Sequence, residues 1–133
     1  MSQRTLQIVE TGLQAFNRRD LESFAELATE DFVWLPALPG AVEGGSYRGR
    51  SGISRYFSES QNTWEQLTVL AEDLRDLDDS VLMLGRALGR GLGSGVEVET
   101  PLAFIAEFRG EKISKVSTYL NHADALTAAG LAR

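Results

Sequence analysis

The sequence predicts an α+β domain, and the order of its apolar patterns is the main observation behind this prediction. Apolar residues recur mostly at helical spacing over residues 5–57 and mostly at alternating, strand-like spacing over residues 67–120. A chain whose helices come first and strands last favours a curved, mainly antiparallel sheet with N-terminal helices packed on its concave face. Such a half-barrel encloses a cone-shaped space, which can hold a small molecule.

Length and composition restrict the classes of protein that remain. A chain of 133 residues suffices for one domain with a real core, so we expect a single domain over residues 1–133. No run of about 18 apolar residues is present, and we expect no membrane span. The N-terminus lacks the apolar segment of a secretory signal and the chain has no cysteine, so we expect a cytoplasmic location. The net charge of −6 argues against a nucleic-acid partner, since phosphate binding requires a basic face.

Three helices are predicted in the first half of the chain. The first covers residues 5–18, and Asp20 is a suitable N-cap for a second helix over residues 21–28. Two helices joined so closely form a helical hairpin. A short strand over residues 31–35 precedes a glycine- and proline-rich loop, and Ser51 is expected to cap the third helix. The loop at residues 38–46 is either a lid over the cone or a plain connection.

Four longer strands are predicted in the second half, over residues 67–74, 80–91, 96–108 and 112–120. Three glycines inside the second of these strands, Gly85, Gly89 and Gly91, indicate bends or bulges of the kind that a strongly curved sheet requires. The chain then closes with a short helix. Asn121 is expected to cap it, with Asp124 reaching back as in a capping box.

Several segments together resemble one known family. They are residues 15–21 (AFNRRDL), 31–34 (DFVW), 47–53 (YRGRSGI), 119–126 (YLNHADAL) and 129–131 (AGL). In this order they resemble the SnoaL-like (polyketide cyclase-like) branch of the nuclear transport factor 2 fold, over nearly the whole chain. The resemblance implies a cone-shaped pocket and usually a homodimer formed through the outer face of the sheet. Its members include polyketide cyclases, ketosteroid isomerases, epoxide hydrolases, dehydratases and proteins without a known reaction, so the chemistry stays open.

The catalytic groups of these relatives are absent from the matching positions. Ketosteroid isomerases use a tyrosine, a carboxylate base and a protonated carboxylic acid. Here the resemblance places these at Gly12, at Leu35 or Pro36, and at Ala103, none of which carries the required group. SnoaL-type cyclases have an aspartate on the last strand, where this chain reads STYLN over residues 117–121. Both familiar mechanisms are therefore improbable.

Two residues remain as candidates for proton transfer, His122 and Glu99. His122 is the single histidine and would lie at the mouth of the cone, as a proton shuttle or as an exposed residue at the start of a helix. The predicted hairpin places Arg90 opposite Glu97, with Glu99 diagonal on the same face, and Arg86 shares that face. Either Arg86 binds a carboxylate or holds water beside Glu99 inside the cone, or these charges form ion pairs on an outer face. One bulge would reverse Arg86 and Glu99 together.

These residues define a predicted ligand pocket that is mainly apolar. Its predicted walls are Trp34, Tyr56, Phe104 and Tyr119, and its predicted polar groups are Arg86, Glu99, Asn121 and His122. One histidine without a carboxylate cluster falls short of a metal site, and we expect no cofactor.

The leading functional hypothesis is a SnoaL-like protein that takes a small apolar or aromatic molecule and acts as a cyclase, isomerase or hydrolase. In this hypothesis His122 or Glu99 carries the proton. A non-catalytic binding or dimerisation module of the same fold is the alternative, and an accessory subunit that docks on a larger partner is a third. An enzyme should show a buried, partnered titratable group facing the cavity, whereas a binding module should show an apolar cavity and solvated charges.

Overall fold

The computed structural model describes residues 2–36 and 46–131, with four helices and six strands in these ranges. In chain order the elements are α1 (Ser2–Asn17), α2 (Leu21–Glu26), β1 (Ala28–Leu35), β2 (Tyr47–Arg48), α3 (Gly49–Thr63), β3 (Trp64–Asp76), β4 (Ser80–Gly91), β5 (Glu97–Arg109), β6 (Lys112–Tyr119) and α4 (His122–Ala128). The predicted α+β class is confirmed. The loop considered as a lid, residues 38–46, lies outside the described residues except for Ser46.

The six strands form one curved sheet that does not close into a barrel. Their order is β2-β1-β6-β5-β4-β3, so the first strand pairs with the last one. That pair is parallel, and the other four neighbouring pairs are antiparallel. The sheet is therefore mainly antiparallel, as the sequence predicts.

Helices α1, α2 and α3 cover one face of the sheet, which we call the inner face. Phe24 and Phe57 of these helices pack with Phe32, Trp34 and Val116 of the sheet in the main core. The opposite face, the outer face, carries a second and smaller apolar cluster, in which Leu82, Leu84, Ala103 and Ile105 pack against Ala125 of α4. None of the helices in the described ranges is long and apolar enough to cross a membrane.

Asn17 connects the helical layer to the sheet by two hydrogen bonds. Its side-chain Nδ2 donates to the carbonyl oxygen of Val69 in β3, and the Val69 N–H donates to Asn17 Oδ1, each at 2.9 Å. Arg19 then reverses the chain with φ of 59°. Asp20 caps α2 by accepting from the Ser23 N–H at 3.2 Å, so the predicted cap and helical hairpin are both present.

Several predicted boundaries differ from the structure. Helix α3 begins at Gly49 with Arg48 as its N-cap, so the expectation that Ser51 caps this helix is wrong. Gly49 has φ of 65°, a conformation that glycine adopts without strain, and it can turn the chain directly from β2 into α3. Ala28 belongs to β1 instead of α2. The helix also runs to Thr63, beyond the predicted end near residue 57.

The bulge expected near Gly85 lies in the neighbouring strand. The pairing of β4 with β5 is regular from Ser80 to Arg90, whereas the pairing of β3 with β4 shifts register between Ala71 and Asp73. A Cβ atom on Gly85 would lie 2.0 Å from the carbonyl oxygen of Leu70. Glycine at this position therefore allows the bulged β3 to approach β4 closely.

Candidate functional site

An apolar cavity lies between the helical layer and the inner face of the sheet, with a volume of about 70 Å³. Its described lining contains no charged side chain, and the residues in it with a polar side-chain group are Tyr56, Thr118 and Trp34, which carry two hydroxyls and an indole N–H. The lining residues are Val9, Gly12, Leu13, Phe16, Phe24, Trp34, Tyr56, Val69, Leu102, Phe104, Ala106, Ile113, Val116 and Thr118. We call this space the inner cavity.

A second space of about 320 Å³, the outer cavity, adjoins the first and is more polar. The two share five lining residues, which are Phe16, Tyr56, Val69, Leu102 and Thr118. The outer cavity adds the polar side chains of Tyr47, Glu59, Ser60, Thr63 and Thr100. The arrangement is therefore an apolar interior that leads to a more polar outer space, which is typical of small-molecule sites.

Three of the predicted wall residues, Trp34, Tyr56 and Phe104, do line the inner cavity. Trp34 is the next-to-last residue of β1, and its ring lies 4.2 Å from the Tyr56 ring between centroids and stacks on Phe24 at 5.0 Å. Phe16 contacts the same group, 6.0 Å from Trp34 and 6.2 Å from Tyr56. Packed aromatic rings of this kind form a rigid wall because few rotamers are open to them.

A tyrosine–glutamate pair lies in the wall of the outer cavity. The hydroxyl of Tyr47 donates to Glu59 Oε1 at 2.5 Å, and Tyr47 is almost completely buried. Burial, followed by the hydrogen bond to Glu59, raises the pKa of Tyr47 to about 12. Arg55 lies over the Tyr47 ring at 4.7 Å, with its Nε 3.8 Å from Glu59 Oε2. The carboxylate is thus held by a buried phenol and partly balanced by one cation.

Tyr56 stands beside this pair and lines both cavities. Its ring lies 5.0 Å from the Tyr47 ring between centroids, and burial raises the pKa of its hydroxyl. No hydrogen bond joins that hydroxyl to another residue within the described parts of the chain. The hydroxyl therefore stays protonated at neutral pH and is available as a donor.

The structure places the predicted charged residues on the outer face, away from both cavities. Arg86 forms ion pairs with Glu99 and, at 2.9 Å from its Nε, with Glu72. Arg90 pairs with Glu97 at 2.9 Å, in the cross-strand register that the sequence predicts. The expectation that Arg86 and Glu99 point into the cone is wrong, because they share the strand face of Leu84 and Ala103, which packs against α4. The ion-pair alternative describes their position.

The predicted residues near α4 are also outside the cone. Tyr119 packs against the outer cluster, so its expected position as a cavity wall is wrong. His122 Nε2 lies 2.9 Å from the carbonyl oxygen of Gly85. Asn121 caps α4 by accepting from the Asp124 N–H at 2.7 Å, and its own side-chain amide donates back to the Asp124 carboxylate. Helix α4 covers the outer face of the sheet and not the mouth of the cone, so the residues at its start lie outside the cone.

The comparison with known families agrees with this geometry. The sequence matches the SnoaL-like domain over residues 9–116. The chain belongs to the SnoaL-like family. Among curated proteins, none matches the sequence.

Solved structures of similar proteins support the same fold for this SnoaL-like chain. TerC, co-crystallised with polyporic acid, is 14% identical with a TM-score of 0.79, and the match covers 96% of this chain and 98% of TerC. A hypothetical protein of ketosteroid isomerase-like fold from Catenulispora acidiphila, in complex with trimethylamine, is 21% identical with a TM-score of 0.75, over 93% and 92% of the two chains. A protein from Xanthomonas campestris that is proposed by name to be a polyketide cyclase is 17% identical, with a TM-score of 0.76 over 96% and 98%.

The positions at which the isomerase groups were sought can now be compared with the SnoaL-like structure. Gly12 lines the inner cavity and Pro36 lines the outer one, so both face the expected space. Ala103 instead faces outwards, and its neighbours Leu102 and Phe104 are the inward residues of β5. No cluster of three or more histidine, cysteine or acidic side chains that could hold a metal occurs in the described ranges.

Sequence reasoning missed Glu59 and the role of Tyr47. The signal was incomplete, because Glu59 is three residues after Tyr56, a spacing that shares one helix face, but it lies beyond the predicted helix end near residue 57. The hydrogen bond between Tyr47 and Glu59 had no such signal, since β2 is only two residues long. Among the described lining residues of both cavities, Glu59 is the single carboxylate.

Proposed function

We propose that this SnoaL-like protein binds a small apolar or aromatic molecule in the continuous space formed by the inner cavity and the larger outer cavity. The observation that carries the proposal is the apolar, aromatic lining of the inner cavity together with its opening into the more polar outer cavity. An apolar body gains free energy by leaving water for such a lining, about 25 cal/mol for each Å² buried. The co-crystallisation of TerC with polyporic acid supports the proposal, since TerC shares the fold.

Binding of N-phenyl-1-naphthylamine, an uncharged fluorescent probe, tests this proposal. Thr118 lies in the wall that both cavities share, so Thr118→Phe should narrow the passage between them. We expect Thr118→Phe to weaken probe binding by about tenfold or more, equivalent to about 1.4 kcal/mol. Thr118→Val is the matched control, because it keeps the shape of the side chain, and it should bind like the wild type. Equal binding by all three proteins at equal thermal stability would show that the probe binds elsewhere.

We further propose that the bound molecule undergoes an acid–base reaction, as in a cyclase, an isomerase or a hydrolase. Glu59 supports this proposal, since it is a hydrogen-bonded carboxylate at the wall of the outer cavity. The proton-carrying roles that the sequence suggested for Glu99 and His122 stay predictions, and neither residue lines a cavity described above. Turnover of a substrate found by screening, compared between wild type and Glu59→Gln, tests the catalytic proposal. Unchanged turnover would remove Glu59 from the reaction.

The alternative of a non-catalytic binding module is supported by a different observation. The described lining of the inner cavity has no group that titrates near neutral pH, whereas acid–base catalysis needs one within reach of the reacting atom. Binding without turnover across the substrate screen would favour this alternative.

A homodimer through the outer face remains a proposal that rests on the family resemblance. On the outer surface of β3–β5, the oppositely charged Arg90 and Glu97 lie near the half-buried Leu88. A second copy of the chain can cover this surface. Molar mass in solution by light scattering tests it, with Leu88→Asp expected to give a monomer. The cytoplasmic location also stays a prediction, and fractionation of the producing cells tests it.

A further inference from the structure

The wall of the outer cavity contains a carboxylate whose position is fixed by its neighbours. Tyr47 donates to Glu59 Oε1 at 2.5 Å, and the nearly complete burial of Tyr47 limits its movement. The second oxygen, Oε2, has Arg55 at 3.8 Å, a distance too long for a hydrogen bond. Glu59 Oε2, in a side chain that is 44% exposed, therefore has no hydrogen-bond donor within the described residues and can accept one from a ligand.

One helical turn earlier, Tyr56 provides the complementary group. It lines both cavities, and its hydroxyl has no hydrogen-bond partner within the described residues. Tyr56 is half-buried and its hydroxyl is not among the fully buried unpartnered atoms of the described residues, so it is open to the cavity and can donate to an oxygen atom of a ligand. The two residues are three positions apart in α3 and share one face of that helix.

We propose that the site recognises a hydroxylated aromatic molecule, whose ring lies in the space where the inner and outer cavities join and whose hydroxyl meets Tyr56 and Glu59. The ligand hydroxyl accepts a hydrogen bond from Tyr56 and donates one to Glu59. One hydroxyl thus satisfies both protein groups, which an apolar ligand leaves unpaired. This inference rests on the proposed function, because it requires that the joined cavities bind an aromatic body.

Two other classes of ligand fit these groups less well. A ligand carboxylate would be repelled by Glu59. An organic cation would be attracted by Glu59 and by the aromatic rings, but it cannot accept from Tyr56 and it would meet the positive charge of Arg55. The neutral hydroxyl is the group that uses both the donor and the acceptor.

The experiment compares two probes of nearly equal shape, 2-naphthol and 2-methylnaphthalene, by calorimetry. We expect the wild type to bind 2-naphthol about tenfold more tightly, since hydrogen bonds to a charged group add to the shared apolar contacts. Tyr56→Phe and Glu59→Gln should each remove most of that preference, measured as the ratio of the affinities for the two probes. Glu22→Gln is the matched control, because it removes the same charge from an exposed carboxylate paired with Arg50.

The absorption spectrum of bound 2-naphthol provides a second readout. A neighbouring carboxylate disfavours the naphtholate anion, so the bound probe should ionise at a higher pH in the wild type than in Glu59→Gln. The Glu22→Gln protein should behave like the wild type. This readout separates contact with the charge of Glu59 from a change of cavity shape.

Each outcome has a distinct meaning. If neither probe binds, the proposed function fails and this inference fails with it. If both probes bind equally and the variants change nothing, the inference is overturned while the apolar binding function stands. Displacement of 2-naphthol by the tetramethylammonium ion, lost in Glu59→Gln, would also overturn it in favour of a cation site.

Discussion

Substitution of Gly85 by alanine should destabilise the fold, because β3 approaches β4 too closely for a side chain there. A Cβ atom at this position would lie 2.0 Å from the Leu70 carbonyl oxygen and 2.9 Å from Met83 Sδ, whereas real Cβ atoms essentially never approach within 3.0 Å. The carbonyl belongs to the backbone, so the two strands must separate. Overpacking of this kind costs about 1–3 kcal/mol, and a weakened ladder hydrogen bond adds about 1 kcal/mol. We therefore expect a loss of about 2–4 kcal/mol.

Thermal and urea unfolding followed by circular dichroism measure this loss, which corresponds to a fall in Tm of about 6–15 °C for a domain of this size. Gly12→Ala is the matched control with the same chemical change. Its Cβ atom would meet nothing nearer than 3.6 Å, and alanine in a helix interior is favoured over glycine by about 0.5–1 kcal/mol. The two substitutions should therefore have opposite signs. A Gly85→Ala protein within about 0.5 kcal/mol of the wild type would refute the close approach of these strands.

Three further predictions follow from contacts of the described residues. The pKa of Tyr47 is raised to about 12, so the folded protein holds this proton more tightly than the unfolded chain does. The resulting stability is present below about pH 10 and is lost between about pH 10 and 12. In urea unfolding across that range, the free energy of unfolding should fall less in Tyr47→Phe than in the wild type. Asn17→Ala removes two hydrogen bonds to the backbone of β3 and should lower the free energy of unfolding by about 2–3 kcal/mol, measured in urea. Glu99→Gln and His122→Ala change the outer face, so the affinity of each variant for N-phenyl-1-naphthylamine should stay within about twofold of the wild-type value. A larger loss of affinity would place these residues at the cavity.

Much of the fold could be predicted from local signals in the sequence. Asp20 and Asn121 mark the starts of α2 and α4 because their short polar side chains accept from backbone N–H groups. The register of β4 against β5 followed from the glycine-rich turn, which placed Arg90 opposite Glu97. The start of α3 was missed because no side chain caps it.

The position of the site was harder to predict, because alternation along a strand does not say which face is the inner one. The sequence correctly grouped Arg86 with Glu99, but the packing of α4 on that face makes it the outer face. The same packing moved Tyr119 and His122 out of the cone. Tertiary contacts between the last helix and the sheet decide these positions, and neither periodicity nor spacing contains them.

The distribution of polar groups suggests how this chain can be selective without a charged group inside the cone. In the proposed site the described inner lining would select mainly by shape and apolar contact, and such contacts discriminate weakly between molecules of similar size. Stronger rejection of a wrong ligand needs donors and acceptors that would lose their partner, and in the proposed site these groups are Tyr56 and Glu59 at the outer cavity. Both come from α3, and not from the strands on which the isomerase and cyclase groups of the family were sought. The absence of those groups from β5 and β6 is therefore compatible with a selective site, because a helix at the mouth of the cone supplies the polar contacts.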